Sequence, residues 1–231
     1  MILAKKANAE FGWFLMRWQG HLRYLSQKHK VKVECEDWQR YLVSDFEYTG
    51  EPEDEVTEVH YTKRLQRKKH LKQEFIRYGV LGSHPGYDVV IHARNLNKGV
   101  HRNWPDEKWQ ELVKELNGYQ IAFVGTYDGA RCWGGDKRGV PLEELCNIMC
   151  NSDLFIAESS GPAHLASLCG LNHLVITDRR RWRVGWKKSR NWNRYVRDWN
   201  PLGTPAYVLD QDDYNPPVAK VLRAIEKNGL L

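Results

Sequence analysis

No apolar run in this 231-residue chain approaches the roughly 20 residues that a helical membrane span needs, so none is expected. The N-terminal stretch MILAKKANAEFGWFLMRW lacks the uninterrupted apolar core and the small-residue cleavage site of a secretory signal. Cysteines are few and scattered. Cys35, Cys132, Cys146, Cys150 and Cys169 form no CxxC pair, and although Cys146 and Cys150 share a helix face, no nearby His completes a zinc set. Reduced thiols in a cytoplasmic protein without a metal site are the expectation. Four enzyme fingerprints are also missing. Without GxxxxGK[ST] a P-loop ATPase or kinase is disfavoured, and without GxGxxG after a first strand so is a dinucleotide oxidoreductase. There is no GxSxG elbow and no HExxH helix. Internal repeats and low-complexity segments are absent as well.

What is present is a basic, tryptophan-rich globular composition. Hydrophobic residues make up 42% of the chain, and the mean hydropathy is −0.65. A net charge of +6 and a pI near 9.0 point to an anionic partner without naming the anion. Of ten tryptophans, Trp182, Trp186, Trp192 and Trp199 fall within RRRWRVGWKKSRNWNRYVRDWNP. Such interleaving suits stacking on a base or sugar, cation–π contact, or plain packing.

The chain reads as two parts. Ile2-Leu3-Ala4 suits a short strand, 9–13 a turn, Phe14 to about Lys28 an amphipathic helix, and Val31–Cys35 a second strand; Asp37 suits a helix cap. Residues 50–63 are acidic and turn-rich, and 64–78 basic and helical in spacing. RLQRKKHLK reads first as a solvated helix face, with a nucleic-acid contact as the alternative. Gly82-Ser83-His84-Pro85-Gly86 is the linker signal, which divides the chain into 1–82 and 83–231. Beyond it, strands are expected at Val89–His92, Ile121–Val124, Leu154–Ala157, Leu174–Ile176 and Tyr207–Leu209. Helices are expected at Asp106–Asn117, Pro141–Asn151, after Pro162, and at Pro217–Lys227. This alternation predicts a parallel, Rossmann-like α/β sheet with ligands outside the carboxyl ends of the strands.

The stretch DLFIAESSGPAHLASLCGLNHLVITD, 153–178, organises that second part. An apolar strand turns through Glu158-Ser159-Ser160-Gly161-Pro162 into a helix that Ser159 or Ser160 can cap and Gly170 can close. Backbone N–H groups and the positive end of the helix dipole suit a phosphate, although an ordinary capped turn has the same pattern. The neighbouring strand-end loops add His92, Arg94, Lys98, Arg102, Asp128 and Arg179 to Arg183, a cationic crevice suited to a nucleotide diphosphate.

IHARN, RNWPDEKWQEL, IAFVGTYD and VPLEELCNIMCNSDLFIAESSGPAHLASLCG, in that order over roughly 88–178, resemble the C-terminal half of glycosyltransferase family 9, the ADP-heptose heptosyltransferase-like enzymes. The resemblance implies a GT-B architecture, two Rossmann-like domains facing a cleft, with the N-terminal one reduced here. It implies no metal or other cofactor, only a nucleotide-diphosphate sugar as co-substrate. Carried over by position, Ser159, Ser160, Gly161, His164 and Arg102 would hold the donor diphosphate, and Asp128 and Val140 the nucleoside. Two departures stand out. Ser159 replaces the family's Asp, and Trp13 follows Gly12 where the family's catalytic Asp is expected. Glu10 is the nearest carboxylate and takes the role of base in this reading. The implied activity is inverting, metal-independent sugar transfer to a hydroxyl on a surface saccharide or a modified DNA base, as in phage-type DNA modification. The alternative is a non-catalytic nucleotide-sugar or nucleic-acid binding module.

Overall fold

The computed structural model describes residues 1–46, 56–67, 71–179 and 190–231. The basic run RLQRKKHLK is described only in part, and most of RRRWRVGWKKSR, with Trp182 and Trp186, lies outside the described residues. The chain forms two compact units, Met1–Ile76 and Arg77–Leu231.

The first unit is a parallel three-stranded sheet, ordered β2-β1-β3, from β1 (Ile2–Ala4), β2 (Val31–Val33) and β3 (Thr57–Val59). β3 was not legible, because Thr57 and Glu58 face solvent and the strand carries no apolar alternation. The helical segment begins at Phe11, three residues before the sequence expectation, as α1 (Phe11–Trp13). It continues through a π-helical stretch, Phe14–Gln19, into α2 (Gly20–Ser26). The apolar positions Leu15, Trp18 and Leu22 are all buried. Buried Arg23 on α2 donates to Gln19 at 3.0 Å, to the Leu42 carbonyl at 3.0 Å and to Asp45 at 2.8 Å, which answers its charge. Asp37 does not cap the next turn. Glu36 does, in a reciprocal capping box with Gln39, ahead of the short helix α3 (Arg40–Val43). Of the expected 64–78 helix, the described residues show α4 (Lys63–Arg67), and 71–78 have no regular structure.

The second unit is a seven-stranded α/β sheet. Its parallel path runs β10 (Ala206–Leu209), β9 (Asn172–Ile176), β8 (Leu154–Glu158), β4 (Val89–Arg94), β5 (Ile121–Gly125) and β7 (Asp136–Arg138). β6 (Ala130–Arg131) pairs antiparallel with the end of β4. Every residue of β4 and β8 is buried, as expected of central parallel strands covered on both faces. The covering helices are α5 (Asp106–Glu115), α6 (Leu142–Cys150), α7 (Gly161–Cys169) and α9 (Val218–Lys227), with a short α8 (Arg190–Asn193) leading into a π-helical turn, Arg194–Asp198. Leu112 and Trp109 of α5 enter the core with Ile91, Ile156, Val221 and Ile225. Trp109 meets Trp104 edge to face at 4.8 Å, worth about 0.5–1.5 kcal/mol beyond area burial. Truncating one of the central side chains, Ile156→Ala, is expected to cost about 2–5 kcal/mol.

In sheets of this kind ligands bind where the strand order reverses. From β4 the chain moves to β5 on one side, then returns to β8 on the other side of β4. The strand order therefore reverses between β4 and β8, and the crevice at a doubly wound sheet opens at their carboxyl ends.

Candidate nucleotide-sugar site at the sheet switch point

Strands β4 and β8 end in His92-Ala93-Arg94 and Ala157-Glu158, paired in register, with His92 opposite Ala157. Glu158 is wholly buried, and among the described residues its carboxylate is met by N–H groups and by no side-chain cation. Its carboxylate accepts the Arg94 N–H at 3.0 Å, the Trp104 N–H at 2.7 Å and the Trp109 indole N–H at 3.4 Å. Burial pushes its pKa up to about 7, opposed by those N–H groups. One carboxylate thus ties together the end of β4, the entry to α5 and the turn before α7.

Arg94 completes the same clamp. Its guanidinium donates to the Gly99 carbonyl at 3.0 Å and also to the Lys98 carbonyl and the Asn103 amide, closing the loop 98–103 upon itself. The cation that the sequence offers to a ligand is therefore spent on that loop. Arg179 likewise pairs outward with Asp213, at 3.1 Å. Arg102, at the end of the loop, donates to the Ser159 carbonyl and lies 5.6 Å from the Tyr214 ring. Its Nε is buried and has no hydrogen-bond partner among the described residues.

The turn into α7 departs from the expectation in one respect. Ser160 occupies the N-cap position with extended backbone, φ −153° and ψ 173°, but its hydroxyl makes no cap bond and instead lies 3.4 Å from His92 Nδ1. The Ser159 hydroxyl accepts from Tyr195 at 3.2 Å, and its N–H is taken by the Ile176 carbonyl at 2.9 Å. The first-turn N–H groups of α7 are left to other partners, as at any helix N-terminus. Gly161 opens the helix and Pro162 takes a first-turn position, as expected.

His164, one turn into α7, is buried in an aromatic box, its ring 4.4 Å from Trp199 and 5.4 Å from Tyr195. Its Nδ1 is buried without a partner. Burial, then His173, Arg194 and Arg102, lower its pKa to about 3, so at neutral pH it is an uncharged imidazole. His92 is also neutral: burial and Arg94 bring it to about 4. Among the described residues at these strand ends, Arg94 and Arg179 are paired within the protein and Arg102 keeps a buried N–H without a partner.

The structure thus brings Arg102, Ser159, Ser160, Gly161 and His164 together at one helix N-terminus. Asp128 sits in the exposed turn after β5, and half-buried Val140 precedes Pro141 at the start of α6. Glu10 belongs to the other unit, exposed and immediately before α1. Its charge helps raise the Tyr61 phenol pKa, second to burial. Tyr195 and the clamping role of Glu158 were not read from the sequence. The spacing of Tyr195 and Trp199, one helical turn apart in NRYVRDW, was the available signal for the first. A glutamate at the end of an apolar strand was the signal for the second, since a charge there needs partners.

The chain has the α/β fold of solved glycosyltransferases, among them a family 9 structure. It superposes on E. coli ADP-heptose LPS heptosyltransferase II with a TM-score of 0.63 at 12% identity, covering 100% of this chain and 98% of that one. A glycosyl transferase family 9 structure from Veillonella parvula gives 0.55 at 10% identity over 98% and 96%. The iron-containing dodecameric glycosyltransferase TibC from enterotoxigenic E. coli gives 0.53 at 15% identity; the match covers 77% of this chain but only 58% of TibC. No protein-family model matches the sequence, and a search of curated proteins finds no match. Among the described residues no helix is long and apolar enough to cross a membrane.

Proposed function

We propose that the chain is a glycosyltransferase that takes its sugar from a nucleotide-diphosphate donor. The observation that carries this reading is the pair of buried nitrogens without a partner among the described residues, Arg102 Nε and His164 Nδ1, beside the N-terminus of α7 at the switch point of a heptosyltransferase-type sheet. Solved relatives of this fold are described with ADP and with ADP-2-deoxy-2-fluoro heptose, which favours an adenine nucleotide for the donor here.

In the proposed step the acceptor oxygen attacks the anomeric carbon as the bond to the diphosphate oxygen breaks, inverting that carbon. The electron pair leaves with the nucleoside diphosphate. Arg102 and the backbone N–H groups of Ser160, Gly161 and Ala163 offset its growing charge without a metal. His164, being neutral, contributes an N–H and no charge. Glu10 takes the acceptor proton as general base. Asp128 and Val140 face the nucleoside. The first unit supplies the acceptor side in the two-domain GT-B manner implied by the resemblance, and the acceptor is a surface saccharide or a modified DNA base. Trp13, standing where a family aspartate is expected, favours one second reading: a binding module that holds the donor without turnover.

A thermal-shift panel of nucleoside diphosphates and nucleotide sugars tests the reading, since a ligand that binds the folded chain raises its stability with concentration. No shift with any nucleotide sinks it. Glu10→Gln should abolish transfer and leave the nucleotide-induced shift intact; unimpaired transfer removes Glu10 as base. For the acceptor, a DNA substrate predicts duplex binding that weakens steeply with salt, and a salt slope near zero leaves the saccharide.

A further inference from the structure

We propose that Tyr127 is the platform on which the base of the donor nucleotide stacks, an inference that rests on the diphosphate reading and extends it to the far end of the same ligand. Tyr127 is 69% exposed although it follows a buried strand. Its position is built. One side of the ring lies against Gly139, whose φ is +75°, and a Cβ added there would come within 2.4 Å of the ring. Only glycine gives both the left-handed backbone and the room. Arg138, next to that glycine, brings its guanidinium to 5.4 Å from the ring centroid. Arg138 is itself fixed, donating to Asp136 at 2.9 and 2.8 Å and to the Ala130 carbonyl at 2.9 Å. The ring is therefore held by Gly139 and Arg138 and still 69% exposed, with a cation beside it to strengthen stacking.

The platform is joined to the diphosphate turn by a continuous floor. The Ser160 hydroxyl lies 3.4 Å from His92 Nδ1. The opposite edge of that imidazole rests on Gly125, where an added Cβ would come within 2.9 Å of the His92 ring. Gly125 ends β5 two residues before Tyr127. From β8 across β4 to β5 is two strand spacings, roughly 10 Å. That is the scale of the span between the phosphates and the base of an extended nucleoside diphosphate. The floor carries no charge, because His92 is neutral, and so suits the ribose rather than another phosphate.

Calorimetric titration of the intact chain with ADP, GDP, CDP, UDP and inorganic pyrophosphate tests the assignment. Tyr127→Ala should weaken the nucleoside diphosphate that binds best by about fivefold to a hundredfold and leave pyrophosphate affinity unchanged. Tyr127→Phe should retain wild-type affinity for both. Gly139→Ala, which keeps the tyrosine but drives a methyl into its ring, should reproduce the selective loss. Unchanged nucleotide affinity in Tyr127→Ala, or an equal loss for pyrophosphate, overturns the proposal while leaving the diphosphate site standing. If the wild-type chain binds neither nucleoside diphosphates nor pyrophosphate, the diphosphate reading itself fails, and this assignment with it.

Discussion

Replacing Glu158 by glutamine sets two sizeable energies against each other. The buried carboxylate answers three N–H groups, at 2.7, 3.0 and 3.4 Å. Glutamine keeps one acceptor oxygen and turns an N–H₂ toward a second backbone donor, which leaves a buried N–H unanswered at a cost of about 1–3 kcal/mol. On the other side, the pKa rise from 4.5 to about 7 means that ionised Glu158 is disfavoured in the fold. At about 1.36 kcal/mol per pH unit, that penalty is about 3 kcal/mol at pH 8. The two nearly cancel, so Glu158→Gln should unfold within about 2 kcal/mol of wild type at pH 8. Glu158→Ala, which answers neither backbone N–H, should lose about 2–5 kcal/mol.

The pH dependence separates the terms. Because the folded pKa is raised, the folded state holds the proton more tightly, and this group's contribution is present below about 4.5 and lost as pH rises through about 7. Between pH 5 and pH 8 the wild type should lose about 2–3 kcal/mol relative to Glu158→Gln, read as the difference of differences in urea unfolding. Buried histidines titrate alike in both proteins and drop out. Parallel stability profiles for the two proteins would refute the reasoning, since they would show that the carboxylate carries no such penalty.

Three further outcomes follow from the same geometry. His92, His164 and His173 have pKa values lowered to about 4, 3 and 4, each chiefly by burial, so their contribution is complete above pH 6.5 and is lost as pH falls toward 4. NMR titration should show imidazole shifts for these three that stay flat from pH 8 to about 5; an inflection near 6.5 contradicts their burial. Ser160→Ala should cost less than about 0.5 kcal/mol in thermal unfolding, against about 1 kcal/mol for a true N-cap, because its hydroxyl makes no cap bond. A loss above 1 kcal/mol means that the hydroxyl caps α7 in solution. Arg94→Ala should weaken diphosphate binding without touching the ligand, by releasing the loop that carries Arg102; Arg94→Lys should rescue little, because a single ammonium cannot serve three acceptors spread around a planar guanidinium.

The second unit was legible because parallel strands buried on both faces read as apolar runs, and Val89–Ile91, Ile121–Val124 and Leu154–Ala157 are such runs. Pro105, Pro141 and Gly170 marked helix ends through backbone chemistry that needs no tertiary contact, and each falls at a cap in the structure. The first unit was harder. β3 is exposed, the start of the Phe11 helix has no side-chain cap, and the basic 71–78 segment has the spacing of a helix but not its structure. Charge was misread at the site for a physical reason. A sequence shows that Arg94 and Arg179 stand at strand ends, but not that the first is consumed by Gly99 and Asn103 and the second by Asp213. Tyr195, Glu158 and Tyr127 gain their places from partners 36, 54 and 12 residues away, Ser159, Trp104 and Gly139, which no local pattern encodes.

The central claim is that the N-terminus of α7 with Arg102 holds a diphosphate. Calorimetric titration of wild type and Arg102→Ala with ADP and pyrophosphate addresses it most directly. A charged hydrogen bond is worth about 1.5–3 kcal/mol, so Arg102→Ala should weaken both ligands by roughly tenfold to a hundredfold. Equal affinities in the two proteins, or no binding by the wild type to either ligand, would contradict it.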